Sequence, residues 1–335
     1  MSQTMPNAVA TSPDSVMGHA IKVEPSQSFV STPHVQKVNQ RALAYLKAGF
    51  PIHFAGPAGV GKTSLAFHLA VQLDVPVVLM HGDAEFGSSN LVGKSDGFRH
   101  SKVVDNFIHS VVKVEEEAKT MWVDNKLTSA CQHGYTLIYD EFNRSRPEAN
   151  NVLLSVLAEG VLNLPKGHGG RKGYVPVHPG FRIIFTSNPD EYAGVHKAQD
   201  ALMDRMITIH LDHYDRESEI QIVVAKTGRS RRDAEVITDI VRRMRGDEGK
   251  NSRPTIRAAI TIGAVMTSMD AQVGWHDERF RWACRDVLGR DVARVTRAGH
   301  TVSTQIDQVV QEVCKQYTGP SADAPMPDHL NGAFS

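Results

Sequence analysis

One short stretch limits what this chain can fold into: residues 56–63 follow the spacing G-x-x-x-x-G-K-T. The apolar residues 52–55 before it are typical of a buried strand, and residues 64–73 place leucine and alanine on one helical face. When a strand, a glycine turn and a helix follow in this order, the backbone N–H groups of the turn and of the helix start can point towards one bound anion. The stretch therefore predicts a triphosphate-binding loop. Its residues are Gly56, Pro57, Ala58, Gly59, Val60, Gly61, Lys62 and Thr63, and Ser64 follows them in the helix.

Two side chains of this loop are expected to act on the nucleotide. Lys62 is expected to reach the β- and γ-phosphates, and the Thr63 hydroxyl to hold Mg²⁺. The alternative, a glycine loop that arose by chance, is disfavoured because the strand and the helix flank it in register. The sequence thus predicts ATP and Mg²⁺ as the bound cofactors.

The composition excludes several classes of partner. The 335 residues carry 37 basic and 37 acidic side chains, so no charge excess favours nucleic acid or an anionic membrane. Three widely spaced cysteines (Cys131, Cys284 and Cys314) are typical of a reducing compartment. No apolar run approaches the ~18 residues of a membrane span. No basic residue precedes Lys22, so no signal peptide is expected, and the predicted location is cytoplasmic.

The order of strand and helix signals predicts the fold. Strands alternate with helices up to about residue 214, which indicates an α/β fold with a parallel sheet wrapped by helices. The pattern then becomes wholly helical. We therefore expect a disordered leader (1–27), a nucleotide-binding domain (28–214), a helical domain (215–317) and a flexible tail (318–335). Helices are expected at 33–47 and from about 125 to 133, the second stopping at Gly134. Within 82–133, apolar residues between 103 and 112 recur at helical spacing and predict a helix, whereas 161–164 and 174–178 predict a β-hairpin.

A pair of carboxylates follows an apolar strand at residues 136–139. Asp140 stands where a Mg²⁺-orienting carboxylate belongs, and Glu141 can polarise the attacking water as a general base. The alternative is a solvated Asp-Glu turn. The order of phosphate loop, buried strand and carboxylate pair favours catalysis.

Three further polar residues complete the candidate site. Asn188, at the tip of the next strand, is expected between the Asp140 strand and the phosphate loop, where its amide can bond the lytic water, although Asn-Pro also forms turns. Arg205 is a candidate arginine finger supplied to a neighbouring subunit, its alternative being a surface ion pair. Arg257, or else Arg253, is a candidate γ-phosphate sensor in the helical part.

With these residues in place, the sequence resembles the AAA+ ATPases, and within them the MoxR branch. The resemblance is carried by Asp-Glu-Phe-Asn-Arg at 140–144, Leu-Ala-Glu-Gly at 157–160 and the hairpin before 181–188. Residues 44–59, 189–196, 199–205 and 252–257 are further similar to the gas vesicle family GvpN, so that the resemblance spans about residues 28–270.

The resemblance implies more than the spacing does. Such proteins are cytoplasmic ATPases that form rings, with a hexamer expected here, and that assist gas vesicle assembly beside other gas vesicle proteins. The branch carries a helical insertion in its second helix, expected within 82–133, and a hairpin before the sensor strand, at 161–179, and both are expected to contact a partner. Two alternatives stay open: an activator of a separate metalloenzyme, and a nucleotide-binding structural component that does not hydrolyse ATP. A small-molecule kinase is disfavoured.

Overall fold

The computed structural model describes residues 20–23, 29–85, 87, 91–105, 113–164, 173–188, 200–246, 254–292 and 302–317. It divides into two compact units, Met1–Asp212 and His213–Ser335. Among the described residues, no helix combines the length and the apolar character needed to cross a membrane.

The first unit is an α/β unit, as predicted. Its strands are β1 (Ile52–Ala55), β2 (Val77–His81), β3 (Gly93–Asp105), β4 (Lys113–Asp124), β5 (Thr136–Asp140), β6 (Val161–Asn163), β7 (Tyr174–Pro176), β8 (Arg182–Ser187) and β9 (Ile207–His210). Its helices are α1 (Pro33–Lys47), α2 (Lys62–Gln72), α3 (Lys126–His133), α4 (Pro147–Asn150), α5 (Val152–Glu159) and α6 (Asp200–Met203), with a 3₁₀ turn at Phe142–Arg144.

Five strands form the central sheet in the order β2-β5-β8-β1-β9, and every neighbouring pair is parallel. The carboxyl ends of β1, β2, β5 and β8 therefore meet at one edge. Strand β8 lies between β5 and β1, which is the position predicted for the strand that ends before Asn188. This order brings the phosphate loop, the Asp-Glu pair and Asn188 to the same edge.

Local sequence explains where the helices begin and end. Helix α1 starts at Pro33 after Thr32, whose hydroxyl accepts a hydrogen bond from the Val35 N–H at 3.4 Å. Helix α3 is capped by Asn125 and ends at Gly134, whose φ of 74° lies in the left-handed region that glycine adopts without strain. Both helices were predicted with nearly these bounds.

An aromatic cluster beneath this edge of the sheet packs β5 against β8. Tyr139, Phe142 and Phe185 are each at most 1% exposed, and the Phe142 and Phe185 rings meet edge to face at 5.2 Å between centroids. The Tyr139 hydroxyl donates to Ser145 Oγ at 2.7 Å, so this cluster also fixes the turn that follows the Asp-Glu pair.

The helix predicted across residues 103–112 is wrong in its described part. Residues 93–105 and 113–124 are antiparallel strands, with Val104 paired to Val114 and Val103 to Glu115. The expected helical insertion is therefore a two-stranded ribbon there. Valine-rich segments favour strands, and short apolar runs fit both periodicities. Residues 106–112 lie outside the described residues. The predicted hairpin is confirmed as the antiparallel pair of β6 and β7.

The N-terminal leader differs from its prediction at two residues. Ile21 exchanges two backbone hydrogen bonds with Val77 on edge strand β2, at 2.8 and 2.9 Å, and Ala20 is 2% exposed. This pair extends the sheet beyond β2. Residues 1–19 of the leader and the tail at 318–335 lie outside the described residues.

All regular secondary structure in the described residues of the second unit is helical, which confirms the prediction of a helical C-terminal region. Its helices are α7 (Arg216–Thr227), α8 (Arg231–Arg245), α9 (Ile256–Ser268), α10 (Glu278–Val292) and α11 (Val302–Tyr317). They share one apolar core, in which Ile237, Ile262 and Phe280 are fully buried.

Candidate functional site

The loop at 56–61 curls because two of its glycines adopt left-handed conformations. Gly59 and Gly61 both have φ of 84°, and Val60 between them is 1% exposed and anchors the loop in the core. The first helical bond of α2 runs from the Leu65 N–H to the Gly61 carbonyl. Since Gly61 has no side chain to cap the first N–H groups of α2, these donors suit an anion such as a phosphate.

Lys62 folds back over this loop. The residue is 8% exposed. Its ammonium donates hydrogen bonds to the carbonyl oxygens of Gly56 and Pro57, each at 2.7 Å. The ammonium is thus already placed above the curve of the loop. A short movement of a flexible four-carbon stem brings it to a bound phosphate.

Two threonine hydroxyls converge on one oxygen of Asp140. Thr63 Oγ1 donates to Asp140 Oδ1 at 2.8 Å, and Thr186 Oγ1 donates to the same oxygen at 2.5 Å. The second oxygen, Oδ2, lies 3.5 Å from His81 Nδ1. Because Thr63 uses its proton on Asp140, its lone pairs can face a cation. A hydroxyl and a carboxylate are hard oxygen ligands, and this donor set fits Mg²⁺.

Glu141 takes an unusual backbone conformation beside this cluster. Its φ is 53°, in the left-handed region that non-glycine residues seldom adopt, and its N–H donates to Thr186 Oγ1 at 3.0 Å. Its carboxylate is paired through Oε2 with Arg144 Nε at 2.8 Å. The side chain is 40% exposed and so can reach solvent at the catalytic edge.

Asn188 lies where the sequence predicted it, directly after β8. The residue is 5% exposed, and its side-chain oxygen has no hydrogen-bond partner among the described residues. Its backbone carbonyl accepts a hydrogen bond from Asn143 Nδ2 at 3.3 Å. A buried amide oxygen with no partner costs free energy unless a ligand or water bonds to it. This orphaned oxygen at the sheet edge can accept a hydrogen bond from a water molecule.

A buried histidine under the loop was not predicted. His53, in β1, is 3% exposed, and its ring nitrogens bond Ser187 Oγ at 2.8 Å and Thr208 Oγ1 at 3.1 Å. Burial, and then the positive charges of His210 and Lys62, lower the pKa of His53 to about 4. The ring is therefore neutral at physiological pH and links the three strands β8, β1 and β9.

Arg205 lies at the opposite end of the sheet from the phosphate loop. It precedes β9, which pairs in parallel with β1 from Ile52↔Ile207 to Ala55↔His210, whereas the loop follows β1. A four-residue strand spans about 13 Å. The exposed guanidinium donates to the Ala201 carbonyl at 2.6 Å. This position does not face the loop of its own chain.

Two further predicted positions lie outside the described part of the first unit. Arg257 belongs to the second unit, where it is exposed in the first turn of α9. Arg253 lies outside the described residues, as do residues 189–196 that carried part of the family resemblance.

Besides His53, sequence reasoning missed three side chains of the site: Thr186, Arg144 and His81. Thr186 could have been suspected from its place two residues before Asn188 on a predicted strand, because alternate residues share a face. Arg144 stands three residues after Glu141, which is ion-pair spacing in a helical turn. His81 carried no signal beyond its place at a strand end.

Comparison with known proteins agrees with this geometry. The family described as AAA domain (dynein-related subfamily) matches residues 51–206. The Gas vesicle ATPase GvpN of Ancylobacter aquaticus is 44% identical over 307 residues, which are 90% of this chain and 86% of that protein. Gas vesicle ATPase GvpN1 of Halobacterium salinarum is 46% identical over 275 residues, 81% of this chain and 77% of the relative. The chain belongs to the gas vesicle ATPase family GvpN.

As a GvpN-family member with an AAA domain, the chain is an ATPase with a P-loop nucleotide site. The RuvB Holliday junction branch migration motor of Thermotoga maritima is a distant structural neighbour, at 16% identity and a TM-score of 0.45, covering 80% of this chain and 70% of that one. The assignment to the GvpN family therefore depends on the sequence relatives alone.

Proposed function

We propose that this GvpN-family chain forms a ring, with six subunits expected, and uses ATP hydrolysis to assist gas vesicle assembly. One observation carries the hydrolytic part: the Thr63 and Thr186 hydroxyls both donate to Asp140 beside the phosphate loop. The vesicle part is supported by the names of relatives that are 44–46% identical. The proposed partners are copies of the same chain and other gas vesicle proteins.

Binding comes first in the proposed mechanism. The N–H groups at residues 59–63 and the Lys62 ammonium hold the β- and γ-phosphates of ATP. Thr63 and Asp140 hold Mg²⁺, which neutralises charge on the phosphate oxygens. Thr186 keeps the Asp140 carboxylate in place, so the cation site needs little rearrangement.

Hydrolysis follows at the same sheet edge. Glu141 accepts a proton from a water molecule whose oxygen forms a bond to the γ-phosphorus, while the bond from that phosphorus to the β–γ bridging oxygen breaks. The Asn188 amide orients the water. Arg205 of the neighbouring subunit stabilises the charge on the transferred phosphoryl group. ADP and phosphate leave, and Arg257, or Arg253 before it, is the proposed sensor of this change in the helical unit.

The catalytic assignment is tested by Glu141→Gln in the full chain. We expect phosphate release to fall by at least about 100-fold, because the amide cannot accept the proton, while ATP binding stays within about twofold. The matched control is Glu148→Gln, since Glu148 is an exposed carboxylate in α4 close by in sequence. Phosphate release at the wild-type rate in the Glu141 variant would contradict the assignment.

The biological assignment is tested in cells that carry a gas vesicle gene cluster lacking its own GvpN-family gene. Wild-type protein is expected to restore buoyancy, and Glu141→Gln is expected not to. If the Gln variant restores buoyancy fully, the protein is a structural component that does not need turnover. If wild type hydrolyses ATP but restores nothing, the client lies elsewhere, as expected for an activator of another enzyme.

A further inference from the structure

Thr186 makes two contacts with one hydroxyl. The residue lies in β8 and is fully buried. Its Oγ1 donates to Asp140 Oδ1 at 2.5 Å and accepts from the Glu141 N–H at 3.0 Å. Two consecutive residues of the neighbouring strand end are therefore fixed by a single side chain.

The two contacts control different properties of the carboxylate pair. The donated bond holds the Asp140 carboxylate in the orientation in which Oδ1 also receives the Thr63 hydroxyl. The accepted bond satisfies the N–H of Glu141 where its backbone enters the left-handed region at φ 53°. Loss of this hydroxyl leaves Asp140 freer to rotate and leaves an N–H without its partner.

We propose that Thr186 is the positioning residue of the ATPase site, orienting the Asp140 carboxylate for its cation and fixing the backbone from which Glu141 projects. This inference rests on the proposed function, in which Asp140 holds Mg²⁺. Hydrogen-bond partners of metal ligands typically contribute 10–100-fold to metal affinity or activity, and Thr186 has this relation to Asp140.

The decisive variant is Thr186→Val, which keeps the β-branched shape and removes only the hydroxyl. We expect kcat to fall about 10–100-fold and the Mg²⁺ concentration for half-maximal rate to rise about tenfold, with ATP affinity in the absence of Mg²⁺ within about twofold. Thr186→Ser keeps the hydroxyl and is expected to stay within about threefold of wild type in both quantities. A residue that served packing alone would not change the Mg²⁺ requirement.

Thr136→Val is the matched control. Thr136 is also a fully buried threonine, at the start of β5, and its hydroxyl has no partner among the described residues. The same substitution there is expected to leave kcat and the Mg²⁺ requirement unchanged. Should Thr186→Val fail to fold, Thr186→Ala carries the same test.

A second measurement separates this inference from the proposed function. The affinity for a non-hydrolysable ATP analogue is measured with and without Mg²⁺, which requires no turnover. We expect Mg²⁺ to strengthen binding in wild type and in Thr186→Ser, and about tenfold less in Thr186→Val. Equal Mg²⁺ effects in wild type and the Val variant overturn the inference. Absence of phosphate release by wild type, with the Mg²⁺ effect on binding intact, overturns only the proposed hydrolysis.

Discussion

Gly82 packs directly against the backbone of Glu141, so that even the methyl group of an alanine at position 82 has no room. The Gly82 N–H donates to the Asp140 carbonyl at 2.8 Å, and a Cβ at position 82 would overlap the Glu141 carbonyl oxygen. Gly82→Ala must therefore push the end of β5 away. We expect a loss of about 1–3 kcal/mol in the free energy of unfolding together with reduced phosphate release.

Gly173→Ala is the control for this variant, because a Cβ at position 173 meets nothing within 4 Å. Its unfolding free energy and phosphate release should match wild type. Denaturant unfolding and a phosphate assay measure both quantities. Equal behaviour of the two alanine variants would show that the end of β5 adapts, contrary to the steric argument.

His53 predicts a pH dependence of stability. In the unfolded chain its pKa is the ordinary 6.5, whereas in the folded chain the pKa is about 4. Between these values only the unfolded chain binds the proton, so the stability present above pH 6.5 is lost as the pH falls towards 4. The shift corresponds to about 3 kcal/mol.

The measurement compares wild type with His53→Gln by denaturant unfolding from pH 7 to pH 4. Since glutamine does not titrate, the wild type should lose about 3 kcal/mol more than the variant over this interval. Two parallel stability curves would show that His53 is protonated as easily in the folded chain as in the unfolded one.

The predictable part of the site consists of residues whose roles depend on short-range spacing. Lys62 and Thr63 follow from the loop pattern, and Asp140 from its place at the end of an apolar strand. The spacing of Thr186 from Asn188 indicates only a shared face, and the hydrogen-bond partners of Thr186 and His53 could not be predicted in this way. Their partners lie on neighbouring strands, and strand order and register are set by the whole sheet rather than by local sequence.

At the scale of elements, capping residues and periodicity predicted α1, α3 and the hairpin of β6 and β7 well. Residues 103–112 were predicted as a helix because a short apolar run fits both periodicities, whereas cross-strand pairing with β4 places residues 103–105 in β3. The short pairing of Ile21 with Val77 was missed for a similar reason. A polar leader gives no local sign of a two-residue bridge to a distant strand.

Helices α7 and α8 are joined by a buried ionic group, and its disruption should be costly. Glu219 is 1% exposed and accepts hydrogen bonds from Arg245 and Arg242, at 2.8 and 2.9 Å. Arg245 also donates to the Pro254 carbonyl ahead of α9. Glu219→Gln leaves buried Arg245 without its counter-ion, and we expect a loss of about 3 kcal/mol in the free energy of unfolding.

Glu217→Gln provides the comparison on the same helix. The Glu217 side chain is 47% exposed and pairs with Arg231, so solvent screens the interaction. Tryptophan fluorescence during urea unfolding reports mainly on this unit, because two of the three tryptophans, Trp275 and Trp282, belong to it. A midpoint shift in Glu219→Gln no larger than in Glu217→Gln would refute the role of burial.

At the scale of the whole molecule, the position of Arg205 predicts complementation between two inactive variants. Arg205→Ala and Glu141→Gln should each abolish phosphate release when tested alone. In a random mixture, a site that has Glu141 and whose neighbour has Arg205 is complete, so about a quarter of the sites should recover. Phosphate release measured against mixing ratio tests this expectation.

The controls for mixing use the double variant, with both substitutions in one chain. When the double variant is mixed with Arg205→Ala, no subunit supplies Arg205. When it is mixed with Glu141→Gln, no subunit supplies Glu141. No phosphate release should return in either mixture. If equal mixing of the two single variants also returns none although they form joint oligomers, Arg205 does not act on a neighbouring subunit.

The bridge between Ile21 and Val77 has a practical consequence for handling the protein. A version trimmed to start at residue 28, where the first long helix is about to begin, would strip backbone partners from the outermost strand. An edge strand with unpaired backbone N–H and C=O groups can pair with a strand of another chain. Such a shortened protein should aggregate during purification. An N-terminal tag is therefore better placed so that Ile21 is retained.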